Sequence, residues 1–311
     1  MILSVTLNPC VDHVLFVDGL KAHDANRVAR AERDAGGKGV NLSRVVAELG
    51  GVTCATGLLG GPTGDFVKHV LDLQGVHHDF VACAGETRTN FSVEDGSGQP
   101  PTSFNQRGPE ITAQEWEAML AKLDGLLKHA SWVALAGSFP PGVPADAYRT
   151  IANMAREREC KVMLDADLEA LKLGLEAVPH FIKPNEPEAS RLLGRPVDSE
   201  ESALVAAREL LPLVDPEGFV VVSRGKDGAG LASAQELFVG ISPSVVVKST
   251  VGSGDSMVGA MLWALEEGRP LAEAFRWGLA AGAATASTDG SEIARKPVIE
   301  DLFRTAVVRP A

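Results

Sequence analysis

The sequence predicts an α/β protein built on a mostly parallel central sheet, with a small antiparallel sheet projecting from it. From about residue 110 onward, helical patterns alternate with short apolar runs that end in polar, Gly-rich or Pro-rich clusters. Such alternation is typical of βα units. The N-terminal third instead carries shorter alternating runs with turn residues between them, which is typical of antiparallel strands.

The predicted strands of the central sheet are rich in Val, Ile, Leu or Phe, as strands covered on both faces by helices are. They span residues 2–7, 132–137, 161–165, 180–183 and 219–223. Amphipathic stretches predict helices over 113–129, 145–159 and 200–211. Segments 12–35 and 86–106 predict the small sheet, which we expect to form a lid. Because no internal repeat or low-complexity linker divides the chain, we expect one domain over residues 1–311.

The composition argues against several classes of protein. The 311 residues are 45% hydrophobic and carry a formal net charge of -12, which disfavours binding to nucleic acid or to an acidic membrane. No signal-peptide pattern opens the sequence, and no window approaches about 18 uncharged apolar residues. We therefore expect a cytoplasmic protein.

The four cysteines are far apart and show no CxxC or CxxH spacing: Cys10, Cys54, Cys83 and Cys160. This spacing indicates neither a zinc site nor a disulfide framework. We expect four buried, reduced thiols.

Polar clusters follow four of the predicted strands. They read GSFPPG, DAD, KPNEPE and SRGKDG. In open α/β sheets, ligands bind beyond the carboxyl ends of the strands. Turn chemistry would explain any one cluster, but four in succession favour a shared site.

The strongest motif is a Gly-rich turn, TVGSGDS over residues 250–256, that opens a buried helix near Gly254. Free N–H groups and the positive end of the helix dipole make such a turn an anion site. Phosphoryl transfer needs donors of this kind, and Asp255 in the first turn would accept the proton of an attacking hydroxyl. The alternative is an ordinary N-capping Asp behind a Gly-rich turn.

The second motif is GGKGVN over residues 36–41, followed by an amphipathic helix. Its glycines let the backbone approach a ligand, and Lys38 and Asn41 offer hydrogen bonds to hydroxyls or phosphate. The alternative is a tight turn with a solvated lysine. The chain has no GxxxxGK[ST] motif and no GxGxxG between a strand and a helix, which disfavours a Walker-type NTPase and a Rossmann dehydrogenase.

Together, GGKGVN and STVGSGDSMVGAM resemble the two signature motifs of the ribokinase/pfkB family of sugar kinases, and the resemblance covers nearly the whole chain. Within that family the chain is most similar to the phosphofructokinase branch (1-phosphofructokinases, minor-type 6-phosphofructokinases and tagatose-6-phosphate kinases). The stretches that carry this similarity are TLNPCVD, NRV, TRTN, GSFPPG, KPNEPE and SRGKDGA. The resemblance implies a three-layer α/β/α ribokinase-like fold with a small β-sheet lid, ATP and Mg²⁺ as cofactors, and a homodimer through the lid.

The resemblance also implies roles for individual residues. Those implied to hold the sugar hydroxyls are Asp12, Gly37, Lys38 and Asn41. Those implied to hold the phosphate that the acceptor already carries are Arg27, Lys38, Arg88 and Ser138. The anion hole is implied to be Gly252, Ser253 and Gly254, with Asp255 as the catalytic base.

On the nucleotide side, the resemblance implies that Lys183 and Asn185 contact the ATP phosphates. Asn185 and Glu188 would order Mg²⁺, largely through water. The residues implied to wall the nucleotide are Ser223, Arg224, Gly225 and Gly228. Ser253 and Arg224 depart from the more usual family residues, Ala and Leu. The alternatives are that Glu188 is a solvated helix carboxylate and Arg88 a surface ion pair.

The reaction implied by the resemblance is phosphorylation of a primary hydroxyl of a fructose phosphate by ATP, with Asp255 as the base. The sequence leaves open whether that hydroxyl is on C1 or C6, because both routes give fructose 1,6-bisphosphate. Alternative acceptors are tagatose 6-phosphate and an unphosphorylated ribose or nucleoside. An alternative of another class is a sugar-phosphate-binding regulator that has lost catalysis.

Overall fold

Strands and helices alternate along the chain in the computed structural model, which describes residues 1–97, 101–166 and 168–311. The strands are β1 (Ile2–Thr6), β2 (Cys10–Val17), β3 (Val28–Gly36), β4 (Thr53–Leu59), β5 (Val81–Ala82), β6 (Arg88–Glu94), β7 (Thr102–Phe104), β8 (Trp132–Ala136), β9 (Lys161–Asp165), β10 (Phe181–Ile182), β11 (Phe219–Ser223), β12 (Ala229–Ser233), β13 (Leu237–Ile241) and β14 (Val307–Pro310). The α-helices are α1 (Lys38–Glu48), α2 (Gly61–Leu73), α3 (Ala113–Leu127), α4 (Ala147–Arg156), α5 (Leu168–Leu175), α6 (Glu186–Leu193), α7 (Glu200–Leu210), α8 (Ser253–Glu266), α9 (Leu271–Ala286) and α10 (Lys296–Thr305).

A large sheet forms the centre of the molecule, in the order β14-β13-β12-β11-β10-β9-β8-β1-β4-β5. All neighbours from β11 to β5 pair in parallel, whereas β12, β13 and β14 continue the sheet as antiparallel strands. The prediction of a mostly parallel sheet is therefore confirmed. The carboxyl ends of β8, β9, β10 and β11 therefore lie at one edge of this sheet, where the predicted polar clusters begin.

Helices cover both faces of the large sheet, which confirms the three-layer arrangement. Successive residues of a strand point to opposite faces. Leu3 and Val5 of β1 accordingly pack into a core with residues of α3, α4 and α7. Ile2 packs into a second core with residues of α1, α8, α9 and α10.

Small residues let α8 and α9 approach each other closely. A Cβ at Gly278 of α9 would lie 2.6 Å from Cγ of Met261 on α8. Trp263 of α8 and Trp277 of α9 meet edge to face, with ring centroids 4.9 Å apart. The small residues of α9 therefore serve packing against α8.

A second, four-stranded sheet has the order β3-β2-β6-β7. Its strands come from the two segments, 12–35 and 86–106, that the sequence assigned to a small sheet, although β2 begins earlier, at Cys10. The prediction that this sheet is antiparallel was wrong for one pair, because β2 and β6 run parallel. Between these two strands the chain forms β3, α1, β4, α2 and β5, and such a crossover connection permits parallel pairing where a hairpin does not.

Parts of two sequence predictions lie outside the described residues: positions 98–100 of the second lid segment, and Asp167 of the DAD cluster. The strand predicted over 180–183 is limited to Phe181–Ile182. All four cysteines are buried and unpaired, as expected. Within the described ranges, no helix is long and apolar enough to cross a membrane.

Substitution of Leu123 tests the core between α3 and the large sheet. Leu123 is completely buried, whereas Leu73 at the end of α2 is 73% exposed. We expect Leu123→Ala to reduce the free energy of unfolding by about 2–5 kcal/mol, because it removes buried methyl groups and leaves a cavity. Leu73→Ala is the matched control and should change it by less than about 0.5 kcal/mol. Urea unfolding measures both, and equal effects would contradict this packing.

Candidate active site

Helix α8 begins at a tight Gly-rich turn. Gly252 is its N-cap residue and has a φ of 74°, in the left-handed region that favours glycine. The N–H groups of the first turn have no acceptor within the helix. In the described residues, Oγ of Ser253 is also buried without a hydrogen-bond partner. These donors and the positive end of the helix dipole make the turn at residues 252–254 suited to bind an anion.

Asp255 lies in the first turn of α8 but does not cap the helix. No side chain caps α8. Oδ2 of Asp255 instead accepts a hydrogen bond from Nδ2 of Asn41, at 2.9 Å. Asn41 lies on α1, so this bond joins the two Gly-rich motifs across 214 residues of sequence. The alternative of an ordinary N-capping Asp therefore does not apply.

Desolvation raises the pKa of Asp255 to about 6. The ammonium group of Lys38 and the hydrogen bond from Asn41 oppose this rise, whereas the charge of Asp165 adds to it. Asp255 is therefore ionised at neutral pH and is more basic than an ordinary aspartate. A carboxylate with these properties is suited to accept a proton near pH 7.

A buried carboxylate at the end of β9, Asp165, binds two lysines. Its Oδ1 is 2.7 Å from Nζ of Lys38, and its Oδ2 is 3.3 Å from Nζ of Lys183. Only 4% of the Asp165 side chain is exposed. Burial alone would raise the pKa of Asp165, but the two lysines hold it at about 2. Lys38 is thus ion-paired, so the alternative of a solvated lysine in a tight turn does not apply.

Lys183 brings its charge to the Gly-rich turn that opens α8. A Cβ at Gly254 would lie 3.4 Å from Nζ of Lys183. The side chain of Lys183 is only 6% exposed. The turn therefore combines backbone donors with a buried ammonium group.

The small sheet contributes a further carboxylate, the partly buried Asp12 on β2. Sγ of Cys10 and Nδ2 of Asn90 both donate hydrogen bonds to its Oδ1, at 3.3 Å and 3.2 Å. Burial raises the pKa of Asp12 from its ordinary value, against these hydrogen bonds and the charge of Arg88. A Cβ at Gly36 would lie 2.1 Å from Oδ2 of Asp12, so the chain before α1 passes directly over this carboxylate.

Gly37, the N-cap residue of α1, fits closely against β1. Its φ is 110°, and a Cβ there would lie 2.9 Å from Cγ2 of Thr6. A side chain at this position would push α1 away from the sheet. The glycine therefore keeps Lys38 and Asn41 close to the carboxyl end of β1.

A cavity of about 290 Å³ lies between the start of β6 and the segment that follows β8. Its lining residues are Asn8, Arg88, Gln106, Arg107, Ser138, Phe139, Pro140 and Pro141, and we call it the Arg88 cavity. Nε and Nη1 of Arg88 donate to the backbone carbonyls of Asn8 and Gln106, at 3.2 Å and 3.0 Å. Within the described residues Arg88 has no acidic partner, so the alternative of a surface ion pair does not apply.

The predicted nucleotide side is built around the start of α6. Asn185 and Glu188 form a reciprocal capping box, in which each side chain accepts the backbone N–H of the other. Glu188 is 8% exposed, so it is not a solvated helix carboxylate. Asn185 forms a parallel bridge with Ser223, and Nε of Arg224 is 3.1 Å from Oε1 of Glu186.

The glycines near Arg224 shape the turn that follows β11. Gly225 and Gly228 have φ values of 56° and 94°. A Cβ at Gly228 would lie 2.0 Å from the carbonyl oxygen of Gly240. The turn therefore lies tightly against β13.

One predicted site residue, Arg27, is not brought to the others. It precedes β3, and Val28 pairs with Val17 at the far end of the hairpin, whereas Asp12 pairs with Asp34. Seven residues along a strand separate Arg27 from Asp34, which is roughly 23 Å. Arg27 is exposed there. Within one chain it does not reach the Arg88 cavity.

Sequence reasoning missed several residues of this site. Asp165 was visible as the first residue of the DAD cluster, and its place at the carboxyl end of a buried strand was the available signal. Asn8, Cys10 and Asn90 lie within TLNPCVD and TRTN but were given no role. Arg107 carried no local signal, because it lies in an irregular segment after β7.

Comparison with known proteins gives a family match over most of the chain. The model of the pfkB family of carbohydrate kinases matches residues 5–297. A 1-phosphofructokinase of Rhodobacter capsulatus is 36% identical over 309 residues, which cover 99% of this chain and 97% of that protein. A 1-phosphofructokinase of Bacillus subtilis (strain 168) is 32% identical over 303 residues, which cover 97% of each chain.

A solved structure gives the same match in three dimensions. Phosphofructokinase-2 from Escherichia coli, in complex with fructose-6-phosphate, superposes with a TM-score of 0.88. The two sequences are 27% identical, and the match covers 98% of each chain.

The titration of Asp255 can be measured without any substrate. In protein labelled with ¹³C at the aspartate carboxyl carbons, we expect one carboxyl to titrate near pH 6, because desolvation raises the pKa of Asp255 to about 6. This signal should be absent from Asp255→Asn. It should persist in Asp301→Asn, a control whose side chain is 73% exposed. A difference spectrum in which Asp255 titrates near pH 4 would contradict the described environment.

Proposed function

This chain belongs to the pfkB family of carbohydrate kinases, and on that premise we propose that it phosphorylates a fructose phosphate with ATP to give fructose 1,6-bisphosphate. The observation that carries the proposal is the position of Asp255. Its carboxylate accepts a hydrogen bond from Asn41, has a raised pKa, and lies in the first turn of a helix whose N-terminus has no side-chain cap and is suited to bind an anion. A base beside a phosphate site is what phosphoryl transfer to a hydroxyl requires.

In the proposed reaction, Asp255 accepts the proton of a primary hydroxyl of the sugar. The hydroxyl oxygen forms a bond to the γ-phosphorus of ATP, and the bond from that phosphorus to the bridging oxygen of ADP breaks. The backbone N–H groups of residues 252–254 and the ammonium of Lys183 would stabilise the negative charge on the transferred group. The unpartnered hydroxyl of Ser253 fits this role, because buried donors without partners are rare.

The nucleotide would lie between the start of α6 and the turn after β11. Lys183 and Asn185 would contact its phosphates, and Ser223, Gly225 and Gly228 would wall it through their backbone. Arg224 would lie beside the nucleotide, with its guanidinium paired with Glu186.

The donor set fits Mg²⁺ held mainly through water. Among the described residues, no group of three or more His, Cys, Asp or Glu side chains is arranged to hold a metal ion. Glu188 uses its Oε2 in the capping box, which leaves its second carboxylate oxygen for a hydrated ion near Asn185. Magnesium keeps several of its waters in sites of this kind. When bound, it would neutralise charge on the ATP phosphates.

We take fructose 1-phosphate as the preferred acceptor and fructose 6-phosphate as the alternative. The relatives named 1-phosphofructokinase support the first, and the phosphofructokinase-2 complex supports the second. The Arg88 cavity favours an acceptor that already carries a phosphate over an unphosphorylated ribose or nucleoside. Tagatose 6-phosphate remains a rival acceptor for the same site, in which Asp12, Gly37 and Asn41 would hold the sugar hydroxyls.

The alternative from another functional class is a regulator that binds sugar phosphates without catalysing a reaction. Desolvation of Asp255 costs folding free energy at neutral pH, since its pKa is raised from 3.8 to about 6. A binding protein has no use for that arrangement. We therefore favour the enzyme.

We further propose a single kinase domain whose small sheet acts as a lid and pairs with the lid of a second chain in the cytoplasm. Large apolar side chains of the small sheet and its hairpin are exposed, including Val28 and Phe104 at 47% and 59%. Pairing would bury them. It would also give Arg27 a route to the phosphate of the partner chain, which it lacks within its own.

An ADP-release assay with Mg²⁺-ATP tests the proposed reaction. We expect turnover with fructose 1-phosphate, weaker turnover with fructose 6-phosphate, and little with fructose, ribose or tagatose 6-phosphate. Asp255→Asn should lower kcat by about 10²- to 10⁴-fold, because the base is lost. Asp301→Asn should retain full activity. If wild type bound fructose 1-phosphate and released no ADP, the regulator would replace the enzyme.

The pH profile tests the environment of Asp255 separately. The kcat/KM for the acceptor should fall below about pH 6 as the base is protonated. The phosphate of the substrate also titrates near pH 6. The pH profile of wild type is therefore compared with that of Asp165→Asn, in which only the titration of Asp255 should shift. That variant removes a charge that raises the pKa of Asp255. Its acidic limb should therefore move to lower pH, whatever happens to kcat. A limb that stays in place would show that the substrate, and not Asp255, sets it.

A further inference from the structure

The residues assigned so far to the Arg88 cavity carry too little positive charge for its proposed ligand, the phosphate group of the acceptor. A phosphate monoester carries about -1.5 to -2 at pH 7. Three cations were expected from the sequence, but Lys38 is bound to Asp165 and Arg27 lies at the far end of its hairpin. Of the three, only Arg88 lines the cavity.

Arg88 is also restricted in what it can offer. Its Nε and one Nη1 hydrogen are used by the carbonyls of Asn8 and Gln106. These bonds fix the plane of the guanidinium and leave its Nη2 hydrogens for a ligand. One rigid guanidinium therefore faces only part of a phosphate group.

We propose that Arg107 is the second phosphate-binding side chain of this cavity and determines its preference for phosphorylated acceptors; this inference rests on the proposed function. Arg107 lines the same cavity and is an exposed residue. Among the described residues, its guanidinium has no ion pair and no hydrogen bond. It is a free cation next to the carbonyl that fixes Arg88.

The segment that carries Arg107 is held rigidly in place. The carbonyl of Arg107 accepts a hydrogen bond from Nδ2 of Asn8 at 3.0 Å, and the side chain of Gln106 accepts one from the backbone of Thr89 at 2.9 Å. The next residue is Gly108, with a φ of 91°, where a Cβ would lie 2.2 Å from Oδ1 of Asn8. Glycine is thus required after Arg107, and the turn that presents Arg107 is fixed to the cavity wall.

Charge gives an independent reason. The chain as a whole has a formal net charge of -12. The residues that line the Arg88 cavity nevertheless include two arginines and no carboxylate. Two guanidinium groups on one cavity repel each other until an anion lies between them. A dianionic phosphate bound by both, with the Ser138 hydroxyl as a further donor, relieves that repulsion.

The test compares Arg107→Gln with Arg304→Gln, which removes the same charge from an exposed position on α10, 77% exposed. We expect Arg107→Gln to raise the KM for fructose 1-phosphate by about 10- to 100-fold, the loss typical of a charged hydrogen bond. The KM for ATP and kcat should stay within about twofold, because the residues that line the Arg88 cavity include neither Asp255 nor a residue of the α8 turn. Arg107→Lys should recover part of the loss.

Calorimetric binding of inorganic phosphate, fructose 1-phosphate and unphosphorylated fructose to the same variants separates the two proposals. If wild type shows no turnover but Arg107→Gln weakens binding of both phosphates and not of fructose, the proposed function fails and the role of Arg107 stands. If wild type is an active fructose-phosphate kinase and Arg107→Gln binds its acceptor as wild type does, the kinase stands and the role of Arg107 is rejected. A wild type that binds no phosphate also rejects it.

Discussion

The site depends on one buried ion cluster, in which the carboxylate of Asp165 binds the ammonium groups of Lys38 and Lys183. A charge buried without partners would be very costly, and here two cations offset the desolvation of one anion. The cluster joins the start of α1, the end of β9 and the end of β10 at one edge of the sheet. Loss of either lysine would leave Asp165 with a single partner and would free the helix or strand end that the lysine holds.

The same charges give two aspartates opposite properties. The lysines hold the pKa of Asp165 at about 2, whereas desolvation and the charge of Asp165 bring the pKa of Asp255 to about 6. Environments that separate two pKa values in this way distinguish a permanent charge from a proton acceptor. The contribution of Asp255 to stability is fully present below its ordinary pKa of 3.8 and is lost as the pH rises through about 6. The folded protein is therefore less stable at the pH at which Asp255 is a useful base.

The two proposed anion sites draw on both sheets. The large sheet would supply the first, through the α8 turn and Lys183, and the small sheet would supply most of the second, the Arg88 cavity. Asp12 lies on β2, Arg88 and Asn90 lie on β6, and Arg107 follows β7. Because these strands are hydrogen-bonded to one another, a phosphate bound in the Arg88 cavity would contact neighbouring strands of one sheet. In the proposed function, the small sheet would therefore take a direct part in acceptor binding.

The sequence by itself determined the features that are local. Apolar runs located the parallel strands, and the Gly-rich turns located the starts of α1 and α8 and the position of Asp255 in a first helical turn. Tertiary structure alone decided the pairings: Asn41 with Asp255 across 214 residues, and Lys38 with Asp165 across 127. It also placed Arg27 at the far end of its hairpin and placed Arg107 in the wall of the Arg88 cavity. The physical reason is that periodicity and turn chemistry act over a few residues, whereas these contacts depend on how the strands order and register within two sheets.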